Sequence, residues 1–322
     1  RAIKIIFSLG CVAALFWFVH PTELLSALSL LTFSSIVQLV LISVVMIWAS
    51  AAKWRTFVRA MGHDADIGEL MRLYTVGYFF STFTPASVGG DVVRSYELGT
   101  KLDSQRDAFV ATFLERFTGL LAMSLLGVIF VLFGTKVTAG LELAILSLGG
   151  VTGLLALICF SSAVAKWSFA FLRRIISAAP FLRKIKKLAS TVGHVEEGMA
   201  AARADKMLLW WGMLWSLLFH MLTIVNTYIA ARAVGWENPD VGGMFVVVPL
   251  VLIISMAPLT PNGIGVQEGA FVFLLERIGA TRAQGLGVAV VLRAKVILLA
   301  VVGWTIWSWS KGKKQRPAEN SI

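Results

Sequence analysis

Apolar stretches long enough to cross a lipid bilayer recur along this chain and constrain its fold more than any other feature. A membrane-spanning helix needs about 20 predominantly apolar residues. The chain is 57% hydrophobic and only 15% charged, whereas soluble domains carry roughly 25% charged residues. We therefore predict an all-α polytopic membrane protein. Its six predicted transmembrane helices cover residues 5–19, 30–52, 108–133, 141–165, 208–231 and 285–309.

One short motif occurs twice and interrupts the apolar pattern each time. The first copy is Thr84–Asp91, with the sequence TPASVGGD, and the second is Thr260–Glu268, with TPNGIGVQE. Proline lacks a backbone N–H donor and glycine allows an open backbone, so we expect a break in the helix at both positions. Broken helices at membrane depth occur where protein or a water-filled cavity satisfies the freed polar groups. Two such breaks at corresponding positions of two halves indicate a transporter-type binding site.

The surroundings of the motif copies predict two re-entrant helical hairpins, at residues 67–99 and 242–279. Basic residues flank both ends of the first hairpin, whereas the loop before the second, Gly235–Asp240, is acidic. Because Lys and Arg favour the cytoplasmic side, the hairpins are expected to enter from opposite faces, as in an inverted repeat. A second pair of similar segments, Arg59–Gly62 and Arg232–Gly235, precedes the hairpins at nearly equal distance. We expect the two breaks to meet near the bilayer centre.

The distribution of basic residues, rather than the net charge of +11, indicates where the protein resides. Lys and Arg lie mostly in short loops between apolar stretches, which is the positive-inside pattern, so we predict no nucleic-acid partner. We expect a multi-pass protein of the cell inner (cytoplasmic) membrane, with both termini in the cytoplasm. The single membrane domain, 1–322, is expected to comprise a first repeat half at 1–134, a connecting span and basic cytoplasmic loop at 135–205, a second half at 206–310 and a cytoplasmic tail at 311–322.

Charged side chains within the predicted membrane segments are candidates for function, because each costs roughly 2.5–3.5 kcal/mol to insert. The candidates are Asp91, Arg94, Glu97, Glu115, Arg116, Glu268, Arg293 and Lys295. One interpretation is that these residues pair with one another and hold the helices together. The other is that the arginines bind a phosphate, because a guanidinium group offers two parallel N–H donors. The sequence leaves both interpretations open.

The breaks and one polar helix face add further candidates for substrate binding. Backbone N–H groups at helix N-termini favour anions. The motif residues included for this reason are Pro85, Ser87, Gly89, Gly90, Pro261, Asn262, Gly263 and Gly265. Polar residues also share one face of the predicted span 208–231. They are Ser216, His220, Thr223 and Thr227, with Asn226 beside them. For His220 and Asn226, a hydrogen-bonded packing role and a cavity-lining role both remain open.

The sequence contains none of the common catalytic motifs. Walker loop, GxSxG and HExxH patterns are absent from it, as are clusters of Cys and His. The two cysteines, Cys11 and Cys159, lie within apolar stretches and have no metal-ligand spacing. We therefore predict no enzyme activity, no cofactor and no metal site.

Several segments resemble the lysylphosphatidylglycerol synthase transmembrane (flippase-like) family, including its UPF0104 members. They are FFSTFTPASVGGDVVRSYELG, LERFTGLL and LTPNGIGVQEGAFVFLL, and AAKWRTFVRAMG is similar to the segment before the first hairpin in that family. The resemblance spans nearly the whole chain and implies an integral membrane lipid translocase. Because the chain ends soon after the last span, the synthase activity of fused members is expected to be absent. The residues carried over by motif match are Pro85, Gly89, Gly90, Asp91, Arg94, Glu115, Arg116, Pro261, Asn262, Gly263, Gly265 and Glu268.

The expected function is that of a lipid flippase-like transporter. It would move a phospholipid or polyprenyl-linked lipid between leaflets through a polar midplane cavity, with membrane lipids as its partners. Arg94, Arg116 and Arg293 are expected to point into that cavity and bind the lipid phosphate. Two alternatives remain open: an ion-coupled secondary transporter of a small anionic solute, and a membrane enzyme or assembly subunit acting on lipid-linked sugars. The oligomeric state, including a homo-oligomer, is also open.

Overall fold

The computed structural model describes residues 31–84, 88–133, 139–178, 206–256 and 260–314, together with residues 29, 193, 196 and 200. These residues form helices and connecting turns, and no strand occurs among them. The helices are α1 (Phe33–Ala60), α2 (Ile67–Thr82), α3 (Val88–Leu102), α4 (Gln105–Leu132), α5 (Ala139–Phe160), α6 (Ser162–Ala178), α7 (Lys206–Ala233), α8 (Val241–Ser255), α9 (Val266–Glu276) and α10 (Arg282–Lys314). The prediction of an all-helical chain is confirmed for this part of the protein.

Among the described residues, four helices are long and apolar enough to cross a membrane. The spans are Phe33–Ala60, Gln105–Leu132, Met207–Ala233 and Arg282–Ser310. They coincide with four of the six predicted transmembrane helices. The predicted span 5–19 lies outside the described residues. The predicted span 141–165 is divided at Ser161, where α5 ends and α6 begins.

Helix α1 continues two turns further than predicted. The prediction ended it near Ala52, because Lys53, Arg55 and Arg59 follow the apolar stretch. In the structure the helix runs to Ala60, and this last part buries Trp54 and Phe57 completely. The basic residues therefore belong to the helix, and the apolar face between them explains why it does not end earlier.

Each motif copy lies between two helices that pack against each other as an antiparallel pair. In the first pair, Glu69 near the start of α2 forms a salt bridge with Lys101 near the end of α3. Nearer the break, a Cβ added to Gly90 would lie 2.3 Å from the carbonyl oxygen of Gly77. In the second pair, α8 packs on α9. The first pair ends at Leu102 rather than at residue 99, the predicted limit, and the second corresponds to the predicted 242–279.

The last helix packs closely against both pairs. A Cβ added to Gly303 of α10 would lie 2.1 Å from the carbonyl oxygen of Thr75 in α2. Further along α10, a Cβ added to Gly285 would lie 3.0 Å from the Cα atom of Val272 in α9. Glycine permits such backbone contacts because it has no side chain. The packing of α10 therefore holds the two broken elements beside a common helix.

The chain forms two compact units, and each combines segments that are distant in sequence. The first unit takes its residues from Arg1–Ile47, Arg72–Arg94 and Leu222–Ile322. The second takes its residues from Trp48–Met71 and Ser95–Met221. Both motif copies belong to the first unit.

Candidate functional site

The first break is capped by its own threonine. The Thr84 hydroxyl accepts a hydrogen bond from the Gly89 N–H at 2.9 Å, which satisfies one of the backbone donors at the start of α3. Gly89 lies so close to this threonine that an added Cβ would be 2.4 Å from its methyl carbon. Two other predicted site residues of this break, Pro85 and Ser87, lie outside the described residues. The described glycines of the first break thus serve close packing within and beside α3.

The second break is a tight turn with left-handed backbone at three positions. Asn262, Gly263 and Gly265 have φ angles of +48°, +66° and +81°. Glycine adopts this region freely, and asparagine does so more readily than other residues with a side chain. Within the turn, the Ile264 N–H donates to the Pro261 carbonyl at 3.0 Å. The residue types of the motif are therefore those that this backbone requires.

The two breaks contact each other directly. The Asn262 N–H of the second break donates a hydrogen bond to the Thr84 carbonyl of the first, at 3.0 Å. The prediction that the two breaks meet is confirmed by this bond. Their depth in the bilayer and their relation by an inverted repeat stay predictions.

Arg293 of α10 holds the second break in place. Its Nε atom donates to Glu268 Oε1 at 2.5 Å, and its two terminal nitrogens donate to the Asn262 carbonyl at 3.1 Å and to Gln267 Oε1 at 2.9 Å. The other Glu268 oxygen accepts the Gly265 N–H at 2.7 Å. All three nitrogens of this buried guanidinium group therefore have acceptors within the protein.

Arg94 forms a comparable buried pair beside the first break. Its side chain is 2% exposed, and both Nε and Nη2 lie 2.9 Å from Asp91 Oδ1. The guanidinium carbon lies 4.2 Å from the centre of the Tyr74 ring, within the range of a cation–π contact. The positive charge of Arg94 thus lies against the Asp91 carboxylate and the Tyr74 ring.

A third polar contact of the first unit joins α7 and α10. The Lys295 ammonium donates to the Asn226 amide oxygen at 2.6 Å. Asn226 is buried and Lys295 is half-buried. The sequence pattern placed Asn226 among the candidates but did not identify its partner.

The second unit contains a separate buried polar cluster around Lys53. The Lys53 ammonium lies 3.2 Å from Glu115 Oε1 and donates to the Glu115 backbone carbonyl at 2.9 Å. The Ser216 hydroxyl donates to the Thr118 hydroxyl at 3.2 Å. A Cβ added to Gly119 would lie 3.4 Å from Lys53 Nζ and 3.8 Å from His220 Nε2. This cluster brings together two predicted candidates, Glu115 and His220.

Sequence reasoning missed Lys53, which it treated as a loop charge. Arg55 and Arg59 are four residues apart, so they share one helix face, and both pair with the exposed carboxylate of Asp64. Lys53 precedes Arg55 by two residues, which turns it about 200° away around the helix. If the predicted helix had been extended through Trp54 and Phe57, the position of Lys53 on the side opposite Arg55 would have predicted that this lysine is buried.

The three candidate arginines differ in their surroundings. Arg94 and Arg293 are buried in the first unit, whereas Arg116 belongs to the second unit and its side chain is exposed. The expectation that all three converge on one phosphate stays a prediction. Arg94 and Arg293 form salt bridges with Asp91 and Glu268, which agrees with the interpretation that these charges pair with one another.

The described part of the chain has four helices long and apolar enough to cross a membrane, two helix pairs interrupted at touching breaks, and several buried ion pairs. These features define a helical membrane protein. The chain belongs to the family described as "Lysylphosphatidylglycerol synthase TM region", which matches residues 1–303. This confirms the resemblance that the motifs indicate.

Two relatives from Methanothermobacter thermautotrophicus are similar over most of the chain, and each is named "UPF0104 membrane protein". One is 22% identical over 276 residues, which cover 79% of this chain and 74% of the relative. The other is 22% identical over 312 residues, which cover 91% of this chain and 90% of the relative. No solved structure shows a significant match.

Proposed function

We propose that this protein is a lipid flippase-like transporter, which moves a phospholipid or a polyprenyl-linked lipid from one leaflet to the other. The head group passes along polar groups beside the two breaks while the acyl or prenyl chains stay in the bilayer. The process involves no covalent chemistry and no cofactor, and membrane lipids are the partners. Family membership supports this proposal, because the family's membrane region is flippase-like.

The observation that carries the proposal is the hydrogen bond between the Asn262 N–H and the Thr84 carbonyl. A polar head group cannot cross hydrocarbon without hydrogen-bonding partners, and unwound backbone inside a membrane protein supplies them. The two breaks bring their unwound backbone together where Asn262 meets Thr84. A head group that enters there can exchange hydrogen bonds with the groups that now join the two breaks.

The proposal includes a membrane topology. Six spans and two re-entrant hairpins form an inverted repeat, and the hairpins enter from opposite faces of the cell inner membrane. Both termini lie in the cytoplasm. This arrangement accounts for the two motif copies and for the basic residues between the apolar stretches.

Positive charge along the head-group path would attract a phosphate. Arg94, Arg116 and Arg293 are the arginines that we propose for this role, since a guanidinium group can bind two phosphate oxygens at once. In Arg94 and Arg293 the charge is already matched by Asp91 and Glu268. These two residues would therefore shape and orient the path, with the phosphate competing for some of their donors.

Reconstitution of the purified protein into vesicles tests the proposal. A fluorescent phosphatidylglycerol is placed in both leaflets, and a membrane-impermeant reductant bleaches the fraction that reaches the outer leaflet. We expect protein-containing vesicles to lose nearly all the fluorescence, whereas empty vesicles lose about half. Arg94→Gln, Arg116→Gln and Arg293→Gln should abolish the additional loss of fluorescence. Arg→Lys at the same positions should restore it only partly, because lysine keeps the charge but lacks the two parallel N–H donors of arginine.

A matched control uses Arg277→Gln, since Arg277 is exposed at the end of α9 and lies over the Phe273 ring. This variant should transport lipid like the wild-type protein. Size-exclusion profiles and circular dichroism establish that each variant is folded. Wild-type rates in all three folded variants would show that the arginines are structural. Vesicles that take up a soluble anion but move no lipid would instead indicate a secondary transporter.

A further inference from the structure

Lys295 differs from the other basic residues buried within the described membrane helices. Lys53, Arg94 and Arg293 each form a salt bridge, with Glu115, Asp91 and Glu268 respectively. The Lys295 ammonium has a neutral partner, the Asn226 amide oxygen at 2.6 Å. Among the residues that the structure describes, no carboxylate lies within 4.0 Å of it.

The surroundings of Lys295 on its own helix do not offset its charge. The residues one turn before and after it, on the same face of α10, are all apolar. They are Val291, Leu292, Leu298 and Leu299. Its amide partner on α7 is 6% exposed, so the ammonium is turned toward the protein rather than extended to a distant aqueous surface. A half-buried ammonium in such surroundings is unfavourable until an anion joins it.

The geometry of the contact leaves donors for a ligand. An ammonium group has three N–H donors, and Asn226 occupies one of them. Lys295 is half-buried rather than fully enclosed, and two of its three donors remain for a ligand. Lysine binds phosphate oxygens as a compact point charge, without the planar match that arginine needs.

We infer that Lys295, oriented by Asn226, is an anion-binding group of the first unit and takes the phosphate of an anionic lipid head group. The inference rests on the proposed function for the lipid source of that phosphate, and a free phosphate ion has the same chemistry. Lys295 adds a positive charge whose described partner is neutral, whereas Arg94 and Arg293 form salt bridges with Asp91 and Glu268. This site is additional to the three arginines proposed above.

Two substitutions separate this role from a purely structural one. Lys295→Met keeps the length and apolar stem of the side chain but removes the charge. Asn226→Asp keeps the lysine and the shape of its partner but adds a carboxylate beside the ammonium. If the contact only holds α7 to α10, Asn226→Asp should strengthen it. If Lys295 binds an anion, the new carboxylate should occupy the ammonium and exclude the ligand.

Native mass spectrometry of the purified protein provides the direct test. The wild-type protein and its variants are loaded with an equimolar mixture of phosphatidylglycerol and phosphatidylcholine, and bound lipid is counted. We expect the wild-type protein to retain phosphatidylglycerol preferentially. Both Lys295→Met and Asn226→Asp should lower its occupancy by on the order of tenfold, the effect of losing one charged hydrogen bond. Lys295→Arg should retain most of it.

The control is Lys166→Met, which removes a lysine that is exposed on α6. This variant should bind phosphatidylglycerol like the wild-type protein. Addition of millimolar inorganic phosphate identifies the source of the ligand. Displacement of the lipid would assign the Lys295 site to a soluble anion, whereas retention of the lipid supports the head group.

Binding and translocation are measured on the same preparations, so the two proposals can fail separately. Lysine-dependent binding of phosphatidylglycerol without translocation would refute the proposed function and keep the Lys295 site. Translocation with unchanged phosphatidylglycerol binding in both Lys295→Met and Asn226→Asp would overturn the inference. Absence of any preference of the wild-type protein for phosphatidylglycerol would overturn it as well, unless inorganic phosphate binds in a manner that depends on Lys295.

Discussion

The buried pair of Lys53 and Glu115 offers the clearest test of how charge is accommodated in this protein. Both side chains are only 5% exposed, and the ammonium lies 3.2 Å from Glu115 Oε1. Removal of either residue takes away the opposite charge nearest to the other, which stays buried. We therefore expect Glu115→Leu and Lys53→Met each to reduce the free energy of unfolding by about 3–5 kcal/mol.

The double variant should behave differently from either single variant. Replacing both Lys53 and Glu115 by apolar residues of similar size removes both buried charges, so the desolvation cost disappears together with their attraction. Such replacements are often neutral, or stabilising by about 1–4 kcal/mol. Lys53→Met/Glu115→Leu should therefore be at least as stable as the wild-type protein, which implies a coupling energy of several kcal/mol between the two positions.

Unfolding by sodium dodecyl sulfate in mixed micelles, followed by circular dichroism, measures the four members of this cycle. Lys166→Met serves as the control, because this exposed side chain should change stability by no more than about 0.5 kcal/mol. Single variants that each lose less than about 1 kcal/mol would refute the reasoning, since that is the range of an exposed ion pair. Lipid transport by a stable double variant would show that Glu115 serves only to hold the helices together.

Two further predictions concern packing and topology. Gly303→Ala places a Cβ 2.1 Å from the Thr75 carbonyl oxygen, so it should destabilise the protein by about 1–3 kcal/mol in the same unfolding assay. Gly150→Ala, where an added Cβ meets no atom within 4 Å, should not, and equal effects of the two would contradict the packing argument. A cysteine introduced near Arg183, after removal of the two native cysteines, should resist an impermeant maleimide added outside intact cells. Labelling from outside would place that loop on the opposite face.

The spans and the breaks could be predicted because their causes are local. An apolar stretch of sufficient length forms a helix wherever it enters the bilayer, since its own backbone satisfies its polar groups. A threonine–proline pair followed by glycines interrupts that helix whatever surrounds it. The same reasoning failed at the end of α1, where the apolar Trp54 and Phe57 between basic residues extend the helix to Ala60.

The contact between the breaks was predicted from symmetry, but its atoms were not. A repeated motif indicated that two similar elements would lie together. It did not indicate that the Asn262 N–H would bond the Thr84 carbonyl, or that Glu268 would bridge the Gly265 N–H and Arg293. Those bonds depend on the left-handed turn and on where α10 passes it.

The partners of the buried charges were decided by tertiary structure alone. The sequence determined which charged residues lie within apolar stretches, and hence that each needs an acceptor or a counterion. Whether Lys53 would meet Glu115, 62 residues away, or Lys295 would meet Asn226, 69 residues away, depends on helix rotation and on close glycine contacts. A charge acts over a few ångströms in a protein interior, and a rotation of one residue turns a side chain by about 100°. Composition therefore determined that the chain is helical and apolar, while the packing of the helices determined which acceptor or counterion each buried charge meets.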